Sequence, residues 1–355
     1  MHDRDLTQDL QAQVQQALAN KTPLRIVGGD SKAFLGNRSE DNILDVSAHQ
    51  GIISYEPTEL VITARSGTPL KEIENILMAQ NQMLAFEPPH YGDTATLGGT
   101  IACNLSGPRR AYAGAARDYV LGTRIINGKA EDLHFGGEVM KNVAGYDVSR
   151  LMAGAMGTLG VLLDASLKVL PFPEYEVTLV HTVDAKTALN KMHDWALQPL
   201  PISATCFYGE KLVVRLCGTE GGVRAAMKKI GGDEMPNAAE FWQQIKEQRK
   251  SIFNGEKSLW RLSIASDTSP MEMGKALYEW GGALRWLKSD APVETIQQAA
   301  REAGGHATLF RNLTYDAAMP VFQPLNAGLL KIHQQLKHAF DPENIFNPGR
   351  MYPGL

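Results

Sequence analysis

Cysteine is scarce: Cys103, Cys206 and Cys217 are the only three in 355 residues, and they lie far apart. An odd, scattered set provides no disulfide framework and fits a reducing compartment. Nor can three thiols hold a four-thiolate iron–sulfur cluster, so the chain has no such cluster of its own to offer. Basic runs are missing too. Lysine and arginine never extend beyond a pair such as Arg109-Arg110 or Lys228-Lys229, and the formal net charge is −4. No general pull toward phosphate backbones or anionic lipid results, and no nucleic-acid partner is expected. No stretch approaches the ~18 apolar residues of a membrane span. The charged start, MHDRDLTQDLQAQVQQ, has no apolar signal core. The expectation is a cytoplasmic protein with no direct membrane insertion, reaching the inner face of a membrane only through a complex.

What is present suits a folded chain of about two domains, taking roughly 150 residues for each. Hydrophobic residues make up 44% and charged residues 21%. Leu6, Leu10, Val14, Ala17 and Leu18 share one helical face, so residues 5–20 read as an amphipathic helix. Leu24–Val27 reads as a short buried strand running into Gly28-Gly29-Asp30-Ser31, with further short strands at Ile43–Val46 and Leu60–Ala64. Thr68 and Pro69 suit the N-cap and first turn of a helix whose buried stripe is Leu70, Ile73, Ile76 and Leu77. Residues 87–122 are rich in glycine, proline and small side chains and read as a long loop region, the kind that is commonly functional. A strand at Tyr119–Ile126 turns at Asn127-Gly128, and residues 161–169 alternate as a strand that stops at Pro171 and Pro173. That double proline marks the domain boundary.

Beyond it, residues 175–310 repeat a strand–helix–strand rhythm. Two such rounds fit a ferredoxin-like sandwich, giving an α+β chain with domains over 1–171 (lobes about 1–55 and 56–171) and 172–312, and a C-terminal segment over 313–355.

Three glycine-bearing segments could carry chemistry. Gly28-Gly29-Asp30-Ser31-Lys32 follows a strand, and two glycines would let successive N–H groups converge on a diphosphate; a plain strand-ending turn explains the same residues. The third glycine and following helix of the dinucleotide fingerprint are missing, which disfavours a nicotinamide-binding domain. ATLGGTIACNLSG (95–107) would let a flat ligand lie against backbone. KNVAGYD (141–147) and GAMGTLGV (154–161) form the third segment, and buried backbone crossings account for these equally well.

Taken in order, GGDSKAFLG (28–36), ATLGGTIACNLSG, RDYVLGTRI (117–125), KNVAGYDVSRL (141–151), GTLGVLLDASLKVLP (157–171) and IFNPGRM (345–351) resemble the FAD-linked oxidase family, which shares its flavin fold with vanillyl-alcohol oxidase. That likeness spans residues 22–171 and 341–351. EPPHYGDTATLGGTIAC, SGPRRAY, FGGEVMKNVAGYD, LQPLPIS and WGGALRWLKS narrow it, over nearly the whole chain, to FAD-binding subunits of bacterial glycolate oxidases.

The resemblance implies a two-lobed FAD-binding domain, a ferredoxin-like cap, and a C-terminal segment that returns to the FAD domain. It implies that Gly28, Gly29, Asp30 and Ser31, with Lys32, wrap the pyrophosphate of FAD. Thr96, Gly98, Gly99 and Asn104 would run along the cofactor's middle and ring end, and Gly157, Thr158 and Val161 would meet its adenine half. Asn347 to Arg350 would return to the flavin, where Arg350 favours negative charge on the reduced ring. Asp30 occupies the place where covalent members carry histidine, so non-covalent FAD is expected. The substrate would be glycolate, with D-lactate as an extension, and the partners a second, catalytic flavin subunit and an iron–sulfur subunit. The metal-binding His cluster of catalytic relatives is missing, and no metal is expected. His306, Arg285 and Tyr146 are the candidate catalytic residues, each equally explained as a structural group. Two other assignments remain open: a stand-alone FAD alcohol oxidase, and a flavin-free assembly subunit.

Overall fold

A computed structural model describes residues 3–37, 41–137, 147–312 and 319–355. The chain divides into two compact units: Met1–Leu105 with Ala115–Pro171 and Pro324–Leu355, and Ser106–Gly114 with Phe172–Gln323.

In the first unit the helix Thr7–Asn20 buries Leu10, Val14 and Ala17, the stripe that the helical period requires. It starts where the Asp5 carboxylate accepts the Thr7 N–H at 2.9 Å. It ends at Lys21, whose left-handed backbone (φ 50°) returns its N–H to the Ala17 and Leu18 carbonyls. Its apolar face packs with Leu24, Leu44, Val161, Leu163, Ile345 and Phe346. Leu24–Val27 pairs in parallel with Asn42–Asp45. A five-stranded antiparallel sheet follows, in the order Ile52–Glu56, Val61–Arg65, Val161–Lys168, Val120–Ile126, Asp132–Gly136.

Two local expectations change. Pro69, not Thr68, occupies the N-cap of the helix Leu70–Ala79. The Thr68 hydroxyl is buried and spent on Gly51, accepting its N–H at 2.9 Å and donating to its carbonyl at 3.2 Å. Within the supposed loop region lies the helix Leu97–Cys103, capped by Thr96. Glycine lowers helix propensity, but burial of Leu97, Thr100 and Ile101 outweighs that in this context.

The last helix, Ala327–Phe340, is capped by Asn326, whose side chain accepts the Leu329 N–H. It stops at Asp341, and Lys337 and Asp341 form a buried ion pair at 2.7 Å. The Lys337 ammonium also donates to the carbonyls of Thr158 (2.8 Å) and Phe346 (2.7 Å). The Asp341 carboxylate accepts the N–H groups of Ile345 and Phe346. All three ammonium protons are thus used, which is what allows a charge to be buried there.

The second unit is one eight-stranded antiparallel sheet. Its first four strands are Asp233–Glu234, Tyr175–Thr182, Lys211–Gly218 and Ile202–Tyr208 in spatial order. With the helices Ala185–Ala196 and Glu220–Ile230 they make the β-α-β-β-α-β order of a ferredoxin-like unit. The other four, Lys275–Glu279, Leu284–Lys288, Leu259–Ser263 and His306–Arg311, repeat that spatial order. In this second round residues 264–274 replace the first crossover helix, and Val293–Glu302 supplies the second. The strand Lys275–Glu279 and the helix Ala238–Lys246 were not anticipated from the sequence; each is short, and the helix buries only Trp242 and Ile245.

Removing one partner of a buried ion pair typically costs about 3–5 kcal/mol. Lys337→Met is expected to lose stability on that scale in urea unfolding, and to expose residues 341–355 to protease before the rest. His49 gives a pH test. It is 1% exposed, its Nδ1 accepts the Leu6 N–H at 3.0 Å, and burial pushes its imidazole below the ordinary histidine value. The unfolded chain therefore binds the proton first. Stability is expected to fall as pH drops below about 6.5 and to level off below the depressed folded value. Urea midpoints should show a shallower dependence over that range in His49→Gln.

Candidate functional site

The strand Leu24–Val27 ends on a cleft within the first unit lined by residues 25–33, Thr96, Gly99, Ala102, Cys103, Met156, Asn347 and Arg350. The loop after the strand is pressed against the segment 94–96. A Cβ on Gly29 would stand 1.4 Å from the Thr94 carbonyl oxygen, and one on Gly28 would stand 2.7 Å from the Thr96 hydroxyl. Only glycine permits that approach. Thr94 clamps it by donating its hydroxyl to the Gly29 carbonyl. Asp30 then takes the left-handed conformation (φ 52°), with its side chain paired to Arg25 at 3.4 Å.

Among the described residues, the backbone N–H groups of Gly28, Gly29, Asp30 and Ser31 donate to no protein acceptor. These four consecutive donors, at half-buried to exposed positions, are open to an acceptor from outside the chain, and a diphosphate supplies several. Lys32 is 6% exposed, and its ammonium donates to the His90 carbonyl at 3.3 Å and the Ser31 hydroxyl at 3.4 Å. Lys32, Arg25 and Arg350 make the cleft cationic. The Arg350 guanidinium donates to the carbonyls of Asn37 (2.7 Å) and Ala33 (3.2 Å), and burial pushes its pKa down from the usual arginine value. Burial likewise pushes the Cys103 thiol up, against the opposing charges of Lys32 and Arg350. At neutral pH Cys103 is a thiol, not a thiolate.

Asn347 takes the left-handed region (φ 42°) and is 5% exposed. Its side-chain oxygen accepts the Ile26 N–H at 2.8 Å, its amide donates to the Met156 carbonyl at 2.6 Å, and its own N–H reaches Leu24. It thus fastens the strand that delivers the glycine loop.

Of the cofactor residues expected from the sequence, Gly28, Gly29, Asp30, Ser31, Lys32, Thr96, Gly99, Asn347 and Arg350 line this one cleft. The other five stand behind it. Gly98 packs on Ser66, where a Cβ would meet the Ser66 Cβ at 2.7 Å. Asn104 closes the helix Leu97–Cys103 in the left-handed region and accepts the Arg117 N–H. Gly157 abuts the Asn347 amide, Thr158 presents its carbonyl to Lys337, and Val161 is wholly buried in the core. Arg25, Ala102, Cys103 and Met156 also line the cleft but were not picked out from the sequence. Arg25 lies in the short strand Leu24–Val27, three residues before the glycine loop, and its nearness in sequence was the available signal.

The candidate catalytic residues are not gathered here. Tyr146 lies outside the described residues. Arg285, 2% exposed in the second unit, donates to the carbonyls of Gly282, Ser269 and Thr268, and stacks over Tyr278 at 4.8 Å. His306 begins the edge strand His306–Arg311 at an exposed position. Among the described residues, no three His, Cys, Asp or Glu side chains come together as a metal site. No helix among them is long and apolar enough to cross a membrane.

Comparison with known proteins agrees with this geometry. Residues 5–136, which contain the glycine loop and the helix Leu97–Cys103, match the family model described as an FAD binding domain, and FAD is the cofactor of that family. A solved structure of alkyldihydroxyacetonephosphate synthase superposes with a TM-score of 0.66 over 96% of this chain and 74% of that one. At 16% identity it shows the shared fold, the vanillyl-alcohol oxidase type. Glycolate oxidase subunit GlcD of Bacillus subtilis (strain 168) is 24% identical over 85% of this chain and 77% of its own. Glycolate oxidase subunit GlcE of Escherichia coli (strain K12) is 52% identical over 100% of both chains. Identity of that order from end to end leaves one placement: the chain belongs to the GlcE family of glycolate oxidase subunits.

Proposed function

We propose that this chain is the FAD-carrying subunit of a glycolate-oxidising complex. It relays electrons from a catalytic flavin subunit, which converts glycolate (and D-lactate) to the 2-oxo acid, to an iron–sulfur subunit. The observation that carries the reading is the run of four N–H groups, Gly28 to Ser31, that find no acceptor among the described residues and open on the cationic cleft. Bound FAD supplies the capacity to accept and release electrons. The chain's own residues bind, orient and shield it.

The loop N–H groups hold the diphosphate, with Lys32 and Arg25 neutralising its charge. Thr96 and Gly99 give the cofactor's middle a surface without bulk, and Arg350 favours negative charge at the ring end. Gly98, Asn104, Gly157, Thr158 and Val161 support these residues from behind. Among the described residues that line the cleft, Asp30 at the turn and a protonated Cys103 offer no ready nucleophile for a covalent link, so the FAD is dissociable. Two features of the second unit support a relay over direct catalysis. The Arg285 guanidinium is committed to three backbone carbonyls, and His306 stands at an exposed strand start.

The purified chain is expected to show a visible flavin spectrum, with all of the flavin recovered in the supernatant after acid precipitation. Flavin remaining with the pellet would refute dissociable FAD. A hydrogen bond to a charged group is worth about 1.5–3 kcal/mol. Lys32→Gln should therefore weaken FAD binding by about ten- to a hundredfold in equilibrium titration. Gly29→Ala, whose methyl would collide with the Thr94 carbonyl, should abolish flavin retention while the far-UV circular dichroism is kept. Glycolate–dye turnover is expected only when the partner subunits are added back. Full turnover by the chain alone would overturn the relay.

A further inference from the structure

The helix Ala327–Phe340 buries little of itself: only Lys337 is fully covered. Helical spacing sets Leu329, Ile332 and Leu336 in one stripe, and Leu329 and Ile332 are 46% and 52% exposed. Beside the stripe lies an apolar pocket in the same unit, lined in part by Leu151, Leu159, Leu336, Met351, Tyr352 and Leu355. Across the exposed face come Gly328, Gln335 and Ala339, small or uncharged, and then Lys331 and His338 at the far edge. The helix contains no acidic residue, although the chain as a whole carries a formal net charge of −4. A solvated helix is ordinarily laced with charges of both signs. This one offers apolar anchors, close backbone approach and one sign of charge.

We infer that this face docks a different subunit of the oxidase, one presenting apolar side chains flanked by carboxylates. The inference rests on the chain being a subunit, as proposed above. A second copy of this chain is the poorer occupant, because a two-fold contact through the helix would bring the Lys331 edge of each copy onto a helix that contains no carboxylate to meet it. A carboxylate-flanked ridge meets the basic edge with opposite charge, while an apolar anchor enters the pocket beside Leu336.

The test is co-purification of the tagged full-length chain with the other oxidase subunits of the same organism, expressed together. Ile332→Glu and Lys331→Glu are the variants, both at exposed positions outside the FAD cleft. Each is expected to keep its flavin spectrum yet recover at least about tenfold less of the partner subunits, with Ile332→Glu the more severe. The wild-type pair should also weaken as salt is raised. Undiminished recovery with both variants overturns the inference. So does failure of the wild-type chain to recover the other subunits, or a wild-type dimer that Ile332→Glu turns into monomer while subunit recovery is unchanged. Flavin content reads separately. A chain lacking flavin whose subunit recovery still depends on Ile332 would refute the proposed function and leave the docking face standing.

Discussion

The buried pair of Lys337 and Asp341 governs how the first unit is closed. A lysine and an aspartate removed from water would be costly if either were left partly satisfied. Here the ammonium donates to Asp341, Thr158 and Phe346, and the carboxylate accepts from Ile345 and Phe346. These bonds fix the path of the chain directly after the last helix. Phe346 then meets Leu24, and Asn347 grips Ile26 and Met156. A charge pair made late in the sequence thereby sets the strand that delivers the glycine loop near its beginning. Gly128 fits the same argument, since a Cβ there would stand 2.5 Å from the Asp341 Cα.

The cleft itself is made more from backbone than from side chains. Its shape depends on Gly29 passing within contact of the Thr94 carbonyl, and on Thr96 serving both as helix cap and cleft wall. Main-chain donors carry no charge to desolvate, so they can be left unpaired beside a cleft at modest cost until an anion arrives. The cations are held differently. Lys32 and Arg350 are each tied to backbone carbonyls, which fixes their positions ahead of any ligand. Preorganisation of that kind reduces the ordering that binding requires.

Much of this was legible in the sequence because its signals are local. Leu24–Val27, the hairpin of Ile202–Tyr208 and Lys211–Gly218, and the helix Val293–Glu302 follow from periodicity and turn chemistry over a few residues. The helix Leu97–Cys103 was hidden, since its two glycines and the small residues Thr100, Ala102 and Cys103 have loop composition. Its helicity comes from burial against Ser66 and the sheet, which sequence does not display. The same limit applies to Gly98, Asn104 and Val161. Glycine-rich motifs mark both a ligand wall and the packing behind that wall, and only three-dimensional placement separates Thr96 and Gly99 from Gly98. Arg285 shows the converse. An arginine in a tryptophan-bearing strand looks chemical until its three carbonyl partners are seen.

Those partners also explain the asymmetry of the second unit. Its two halves repeat one strand order, but residues 264–274 stand where a crossover helix would otherwise cover the sheet. Carbonyls of an irregular segment over a sheet can be satisfied from below, and Arg285 does this for Thr268 and Ser269 while also reaching Gly282 in the turn before its own strand. Elsewhere in the unit Arg109 bonds Glu176, and the Trp286 indole donates to Glu279. Side chains of the type a hydroxy-acid site would require are here bonded to the sheet's own neighbours. Freeing Arg285 or Trp286 for substrate would leave the buried Gly282 carbonyl or the buried Glu279 carboxylate short of a donor, a cost that substrate binding would have to offset. A subunit that only holds and orients FAD has no such conflict, and its polar residues can serve the fold.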